Sequence, residues 1–174
     1  MSTGLARRCH GRARNPRAAS RVGALEPEGA ALTSAAPNIR GLQPEAGRRV
    51  SVLWRGGAES VVDLSDHLRK YTILAPLLAD EELFAHVDVG EWGWSAHWSD
   101  DLEISSDTLW RLALEQGGAW LRHWRAARHM TQTEAARALG VSPRMWRYYE
   151  AGTHLLPKTV RLAAKGWDAQ AQAA

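Results

Sequence analysis

A single cysteine, Cys9, occurs among the 174 residues, which excludes a disulfide framework and any zinc site built from several thiolates. No apolar run approaches the roughly 18 residues that a membrane-spanning helix needs, so a soluble, cytoplasmic chain is expected. His86 and His97 have no third ligand at a usable spacing, and neither a metal nor another cofactor is expected. Aromatic residues are missing from the first 48 positions, where Ala, Arg, Gly and Pro predominate without a period of two or 3.6. Such a segment has little to bury, and residues 1–48 are expected to form a disordered tail or to precede the true start of translation. Arg7 and Arg8 suggest a twin-arginine export signal, but no apolar region follows them. The other functional reading of this tail is an arm holding nucleic acid through phosphates. A chain beginning near Arg48 is accordingly expected to fold as well as the whole.

The net charge of +3 is small, yet it conceals a segregation. Residues 1–49 carry nine arginines against three glutamates, residues 50–116 four basic against thirteen acidic side chains, and residues 117–174 nine basic against three acidic. The balances are +6, −9 and +6, so the parts face different partners. The expected organisation is a tail over 1–48, a small acidic α+β domain over 49–116 and a helical domain over 117–174.

In the middle part Val50, Val52 and Trp54 alternate with Ser51 and Leu53 before Gly56-Gly57, the pattern of a strand entering a hairpin with Ser60 to Asp63. Ser65 is placed to cap a helical turn towards Lys70, and Asp80 to cap a short helix through Phe84. A second hairpin is expected with Val87 and Val89 in one arm, Gly90 to Gly93 as the turn, and Trp94, Ala96 and Trp98 in the other. Alternating aromatics on a strand are more often core than a ligand cage. Ser105 or Ser106 then caps a helix ending at Gly117-Gly118. About four strands and two or three helices result. Val61-Val62-Asp63-Leu64, Leu78-Ala79-Asp80 with Phe84, and Trp98 followed by Asp101 to Ile104 and Leu109 make this part resemble the domain-of-unknown-function family numbered 2442. That resemblance names a fold more than a chemistry.

The most informative stretch is Met130 to Gly152, MTQTEAARALGVSPRMWRYYEAG. Thr131 and Glu134 form a capping box that starts a helix, and Ala135, Ala136 and Leu139 give it a buried face whose small residues permit a close helix crossing. Gly140 ends it with a positive φ, Val141 fills the corner, Ser142 caps the next helix and Pro143 takes its first position. In that second helix Trp146 and Tyr149 face the core, while Pro143, Arg144, Arg147 and Tyr148 face outward with Met145 at the boundary. Two arginines at an exposed helix N-terminus suit the major groove, where Arg donates bidentately to guanine. Gln132 is placed to donate to a backbone phosphate. A plain helical hairpin with a solvated basic face is the competing reading, disfavoured by the coincidence of box, small pair, glycine turn, second cap and basic face.

Arg125, Thr131-Gln132, Ala136, Leu139-Gly140-Val141-Ser142, Glu150, Gly152 and Pro157 closely resemble the Xre family of helix-turn-helix regulators, with a lambda-repressor-like fold over residues 119–168. The resemblance implies that Leu121 and Trp124 lie in the core and that a helix from Pro157 turns Val160, Leu162 and Ala163 inward. It implies that Pro143, Arg144, Met145 and Arg147 read bases, that Thr131, Gln132, Ser142 and Tyr148 meet the backbone, and that Arg125 and Glu150 form a partly buried ion pair. The chain departs from the family in its Trp146-Arg147-Tyr148-Tyr149 run and in the little length left after Trp167 for a fifth, dimer-forming helix.

The expected function is a bacterial, sequence-specific transcriptional regulator that is no enzyme. It binds double-stranded DNA, with a homodimer assembled through the acidic domain. The alternatives are an antitoxin whose acidic domain binds a basic toxin protein, and an enzyme targeted to DNA.

Overall fold

The computed structural model describes residues 38–173, and the expected disorder of residues 1–37 lies outside them. Two antiparallel three-stranded sheets and seven α-helices make a mixed α+β fold among the described residues. The first sheet orders β1 (Ile39–Glu45), β2 (Arg49–Trp54) and β3 (Glu59–Asp63), and the second β4 (Asp88–Val89), β5 (Ser95–Ser99) and β6 (Leu102–Ser105). Between them come α1 (Ser65–Lys70), α2 (Ala75–Ala79) and α3 (Glu81–Ala85). The side chain of Asp80 accepts from the amides of Glu82 and Leu83, as an N-cap should. At α1 the cap is displaced by two residues: Asp63 Oδ1, not Ser65, accepts, from the Ser65 amide at 2.8 Å.

The first correction concerns β1, which lies inside the segment expected to be a tail. Ile39 is 2% exposed, and Leu42 to Glu45 pair in register with Val52 to Arg49. The strand is poorly advertised because Gly41 sits beside a register shift and Pro44 occupies an edge strand, where a missing amide leaves no ladder bond unmade. β6 likewise exceeds the four strands expected. Its Ile104 is buried, but two of its four residues are exposed and a bulge breaks its register with β5. Of Trp94 and Trp98, expected to alternate into the core, only Trp98 does so; Trp94 is 59% exposed, and Trp92 in the preceding turn 75%. Trp94 precedes β5 in a helical conformation (φ −79°, ψ −17°), so the period of two does not reach it.

The second correction concerns the helix expected to stop at Gly117-Gly118. α4 runs unbroken from Ser106 to Ala126, capped by Ser105 Oγ. It therefore serves two cores. Leu109, Trp110 and Ala113 join a core with Trp54, Leu64 and Leu77, in which the Trp54 and Trp110 rings meet edge-on at 4.9 Å. About two turns on, Leu121 and Trp124 join Trp146, Tyr149 and Val160 in another.

The glycines act as a groove within the helix rather than as its end. A β-carbon at Gly118 would lie 2.8 Å from the carbonyl oxygen of Tyr149 and 2.9 Å from that of Glu150. The backbone of α6 (Pro143–Glu150) thus rests directly on α4. Alanine favours helix by about 1 kcal/mol over glycine, but here the obstruction is backbone and cannot rotate away. Gly118→Ala is expected to destabilise by about 1 to 3 kcal/mol. A melting temperature equal to or above that of the parent would show that the two helices have room to part.

The remaining elements are α5 (Gln132–Ala138) and α7 (Lys158–Ala173). In α7 Val160 and Ala164 are buried, whereas Leu162 is 56% exposed and Ala163 is also outside, contrary to expectation. With Val160 inward, 100° per residue returns position 164 to the same face and turns 162 away. Gln116 grips the backbone of Asp63 twice, accepting from its amide at 2.9 Å and donating to its carbonyl at 2.7 Å.

Candidate nucleic-acid interface

The end of α4 with α5 to α7 builds one helical unit whose outer surface is set by its few acids. Residues 117–174 hold three acidic side chains, Glu134, Glu150 and Asp168, and all three are engaged internally. Glu134 completes the capping box, its carboxylate accepting from the Thr131 amide at 2.8 Å and hydroxyl at 2.7 Å. Those two bonds, the amide first, hold its pKa below the ordinary carboxylate value. Asp168 pairs with Arg128, whose guanidinium also lies over the Trp124 ring at 4.3 Å. Glu150, 4% exposed, pairs with Arg125 at 2.6 Å and accepts from the Gln132 amide at 2.6 Å. Among the described residues the solvent-facing basic side chains of this unit therefore keep their charge free, except Lys158, which meets Glu59.

Glu150 is the hub of this unit. Arg125 reaches it through Nε and extends Nη1 to the Met130 carbonyl at 3.0 Å, which fixes the turn between α4 and α5. Arg122 donates to the Glu150 backbone carbonyl, so the end of α6 is held from α4 by two arginines. The Trp146 indole N–H is buried near the same carboxylate and has no hydrogen-bond partner among the described residues. Burial pushes the Glu150 pKa up, and the donors with the Arg125 charge outweigh it, leaving the group below its ordinary value.

The turn itself follows from local chemistry. Gly140 takes φ +67°, and the Val141 amide donates to the Ala136 carbonyl at 2.8 Å, closing α5. Ser142 Oγ accepts from the Met145 amide at 3.2 Å and starts α6 four residues after α5 ends. Trp146 is fully buried and Tyr149 nearly so, with Trp124 and Trp146 rings 6.2 Å apart. Pro143, Arg144 and Arg147 are exposed on the opposite face, and Met145 is half-buried.

Arg144 lies along α6 with Nε 3.0 Å from the Tyr148 hydroxyl, and Arg147 Nε donates to the Pro143 carbonyl at 3.2 Å. Neither meets a carboxylate among the described residues. Their terminal nitrogens remain available as paired donors. Tyr148 is stacked on His154 at 4.7 Å and 13°, a partner that nothing in residue spacing announced. Thr131 and Ser142, both exposed, stand at the N-termini of α5 and α6 as caps. Gln132 differs from expectation: one N–H of its amide is committed to Glu150, so it ties α5 to α6 and has a single N–H left for a phosphate. The roles of Arg122, Arg128 and Asp168 were not read from the sequence. The available signal was the scarcity of acids, which leaves each one a defined partner.

Among the described residues no helix is long and apolar enough to cross a membrane, and no cluster of three His, Cys, Asp or Glu could hold a metal.

Residues 118–170 match a family described as a helix-turn-helix domain, and residues 39–115 match a protein of unknown function, DUF2442. No curated protein matches the chain. A solved crystal structure from Nitrosomonas europaea ATCC 19718, described as a candidate DNA-binding protein, is 35% identical over 76% of this chain and 87% of its own, with a TM-score of 0.43.

Proposed function

We propose that this chain, which belongs through residues 39–115 to the DUF2442 family and through residues 118–170 to the helix-turn-helix domain family, is a sequence-specific DNA-binding transcriptional regulator. The observation that carries the reading is the exposed outer face of α6, where Arg144 and Arg147 keep free guanidinium nitrogens while every acid of residues 117–174 is turned to internal contacts. Arg144 and Arg147, with Pro143 and Met145 between and beside them, read base edges in the major groove. Thr131, Ser142 and Tyr148 meet the backbone, and Gln132 contributes its one remaining donor.

The test is selection of sites from a random DNA pool with the purified protein. Alanine at Arg144 or Arg147 is expected to cost roughly 1 to 3 kcal/mol on the selected site and less on unrelated DNA. Identical selected sequences from the parent and the double variant would defeat the assignment.

A single module reads too few base pairs to stand out in a genome, so we place two copies on one site, joined through the acidic half. Trp92 and Trp94, exposed on the turn before β5, are the apolar surface offered for that contact. Inverted half-sites about 10 base pairs apart, or a multiple, follow, and footprinting with light scattering measures both.

A further inference from the structure

A cleft of about 400 Å³ opens between the first sheet and the start of α7. Its walls are apolar where Val61, Trp120, Leu155, Leu156 and Leu162 line it, and Ser51 and Ser60 add hydroxyls. Arg49, Lys158, Arg161 and Lys165 stand around it against two acids, Glu45 and Glu59. Both acids are engaged, Glu59 with Lys158 at 2.8 Å and Glu45 opposite Arg49 at 4.0 Å. Arg161 and Lys165, one turn apart on α7 and so on one side of it, have no carboxylate within ion-pair distance among the described residues.

Arg161 is the exception to a local rule. Arg125 and Arg128, the other part-buried arginines that pack beside a tryptophan core, each have their anion, Glu150 and Asp168. Arg161 is half-buried with its guanidinium 5.2 Å from the Trp120 ring centroid, and none of its side-chain nitrogens has a hydrogen-bond acceptor among the described residues. Burial holds its pKa below the ordinary arginine value, as a desolvated cation without a counter-charge requires.

We propose that this cleft binds a small organic anion, a carboxylate on an apolar ring, with the carboxylate on Arg161 and Lys165 and the ring against Trp120 and Leu156. The volume lies within the range of small-molecule sites. Planar guanidinium recognises carboxylate through two parallel bonds, and the apolar part of the wall, Trp120 with Leu155, Leu156 and Leu162, favours an anion with a hydrophobic body over an inorganic one. Because β2 and β3 supply one wall and α7 the other, an occupant would touch the first core's sheet and the helical unit together.

The site is tested on the full chain without DNA, so its failure is separate from failure of the proposed DNA binding. Titration calorimetry with 1-naphthoate is expected to show saturable binding, and with the neutral 1-naphthalenemethanol or with sulfate more than about tenfold weaker binding. Arg161→Gln and Lys165→Gln should each weaken the naphthoate, while Lys70→Gln on α1 should leave it unchanged. Equal affinity for the acid and the alcohol, tighter binding of sulfate, or an unaffected Arg161→Gln variant would overturn the proposal. If Arg161→Gln fails to fold, the exposed Lys165 decides by the same readout.

Discussion

Replacing Glu150 with glutamine is expected to lower stability by about 3 kcal/mol, near the bottom of the range for a broken buried ion pair. Glutamine keeps the volume, but Arg125 is left inside with no carboxylate. The lower end applies because Arg125 is 24% exposed and recovers some hydration, whereas Glu150, at 4%, recovers little. For a domain of this size the loss corresponds to a fall in Tm of roughly 6 to 12 °C. A variant melting within 2 °C or so of the parent would show the pair to be superficial.

The same residue gives the expectation a pH signature. Its folded pKa lies below the ordinary 4.5, so the folded state holds fewer protons than the unfolded chain once the pH drops below that value. Its contribution is complete above about 4.5 and is lost as pH falls through the depressed folded value. The stability gap between parent and Glu150→Gln should therefore be widest above pH 5 and close on acidification. A gap that stayed constant down to pH 3 would assign the loss to packing.

A chain starting at Arg48 is expected to lose the cooperative folding of residues 49–115. It would lack β1, and with it the buried Ile39, worth roughly 2 to 3 kcal/mol of transferred apolar surface. The Asn38 carbonyl that accepts from Arg55 and the Asn38 amide that donates to the Trp92 carbonyl would also go. Gly93, at φ +78°, leaves room for the Ile39 backbone at the point where a β-carbon would collide with it. That contact would be vacated, and β2 would become an edge. Near-ultraviolet circular dichroism and a melt read the result. A shortened chain with the parent's midpoint and cooperativity would refute it.

This outcome reverses the expectation from composition, and the reason is instructive. Period and propensity reveal elements whose residues carry the burial themselves, such as Val50, Val52 and Trp54, all fully buried. β1 carries one fully inward residue, Ile39, among glycine, proline and arginine, and its ordering comes from the ladder with β2 and from contacts with Trp92 and Gly93 more than fifty positions on. Gly117-Gly118 misled for a related cause: a glycine pair signals a helix end locally, but its use here is set by carbonyls of residues 149 and 150. The turn between α5 and α6 was legible because caps, box and Gly140 are local devices that act within four residues. Partnerships over 25 to 40 positions, Arg122 with Glu150 and Arg128 with Asp168, are not written in any local pattern.

The continuity of α4 turns it into a ruler. Twenty-one residues at 1.5 Å each span about 31 Å, and the rotational phase of one end relative to the other is fixed at 100° per residue. The azimuth at which α6 projects from the sheets is therefore a property of helix length, since no swivel lies between them. If two copies join through their sheet-bearing halves, the separation and helical phase of the two reading surfaces are quantised by that length. Such an assembly would meet inverted sites of one spacing and be indifferent to the same half-sites moved by half a turn of DNA.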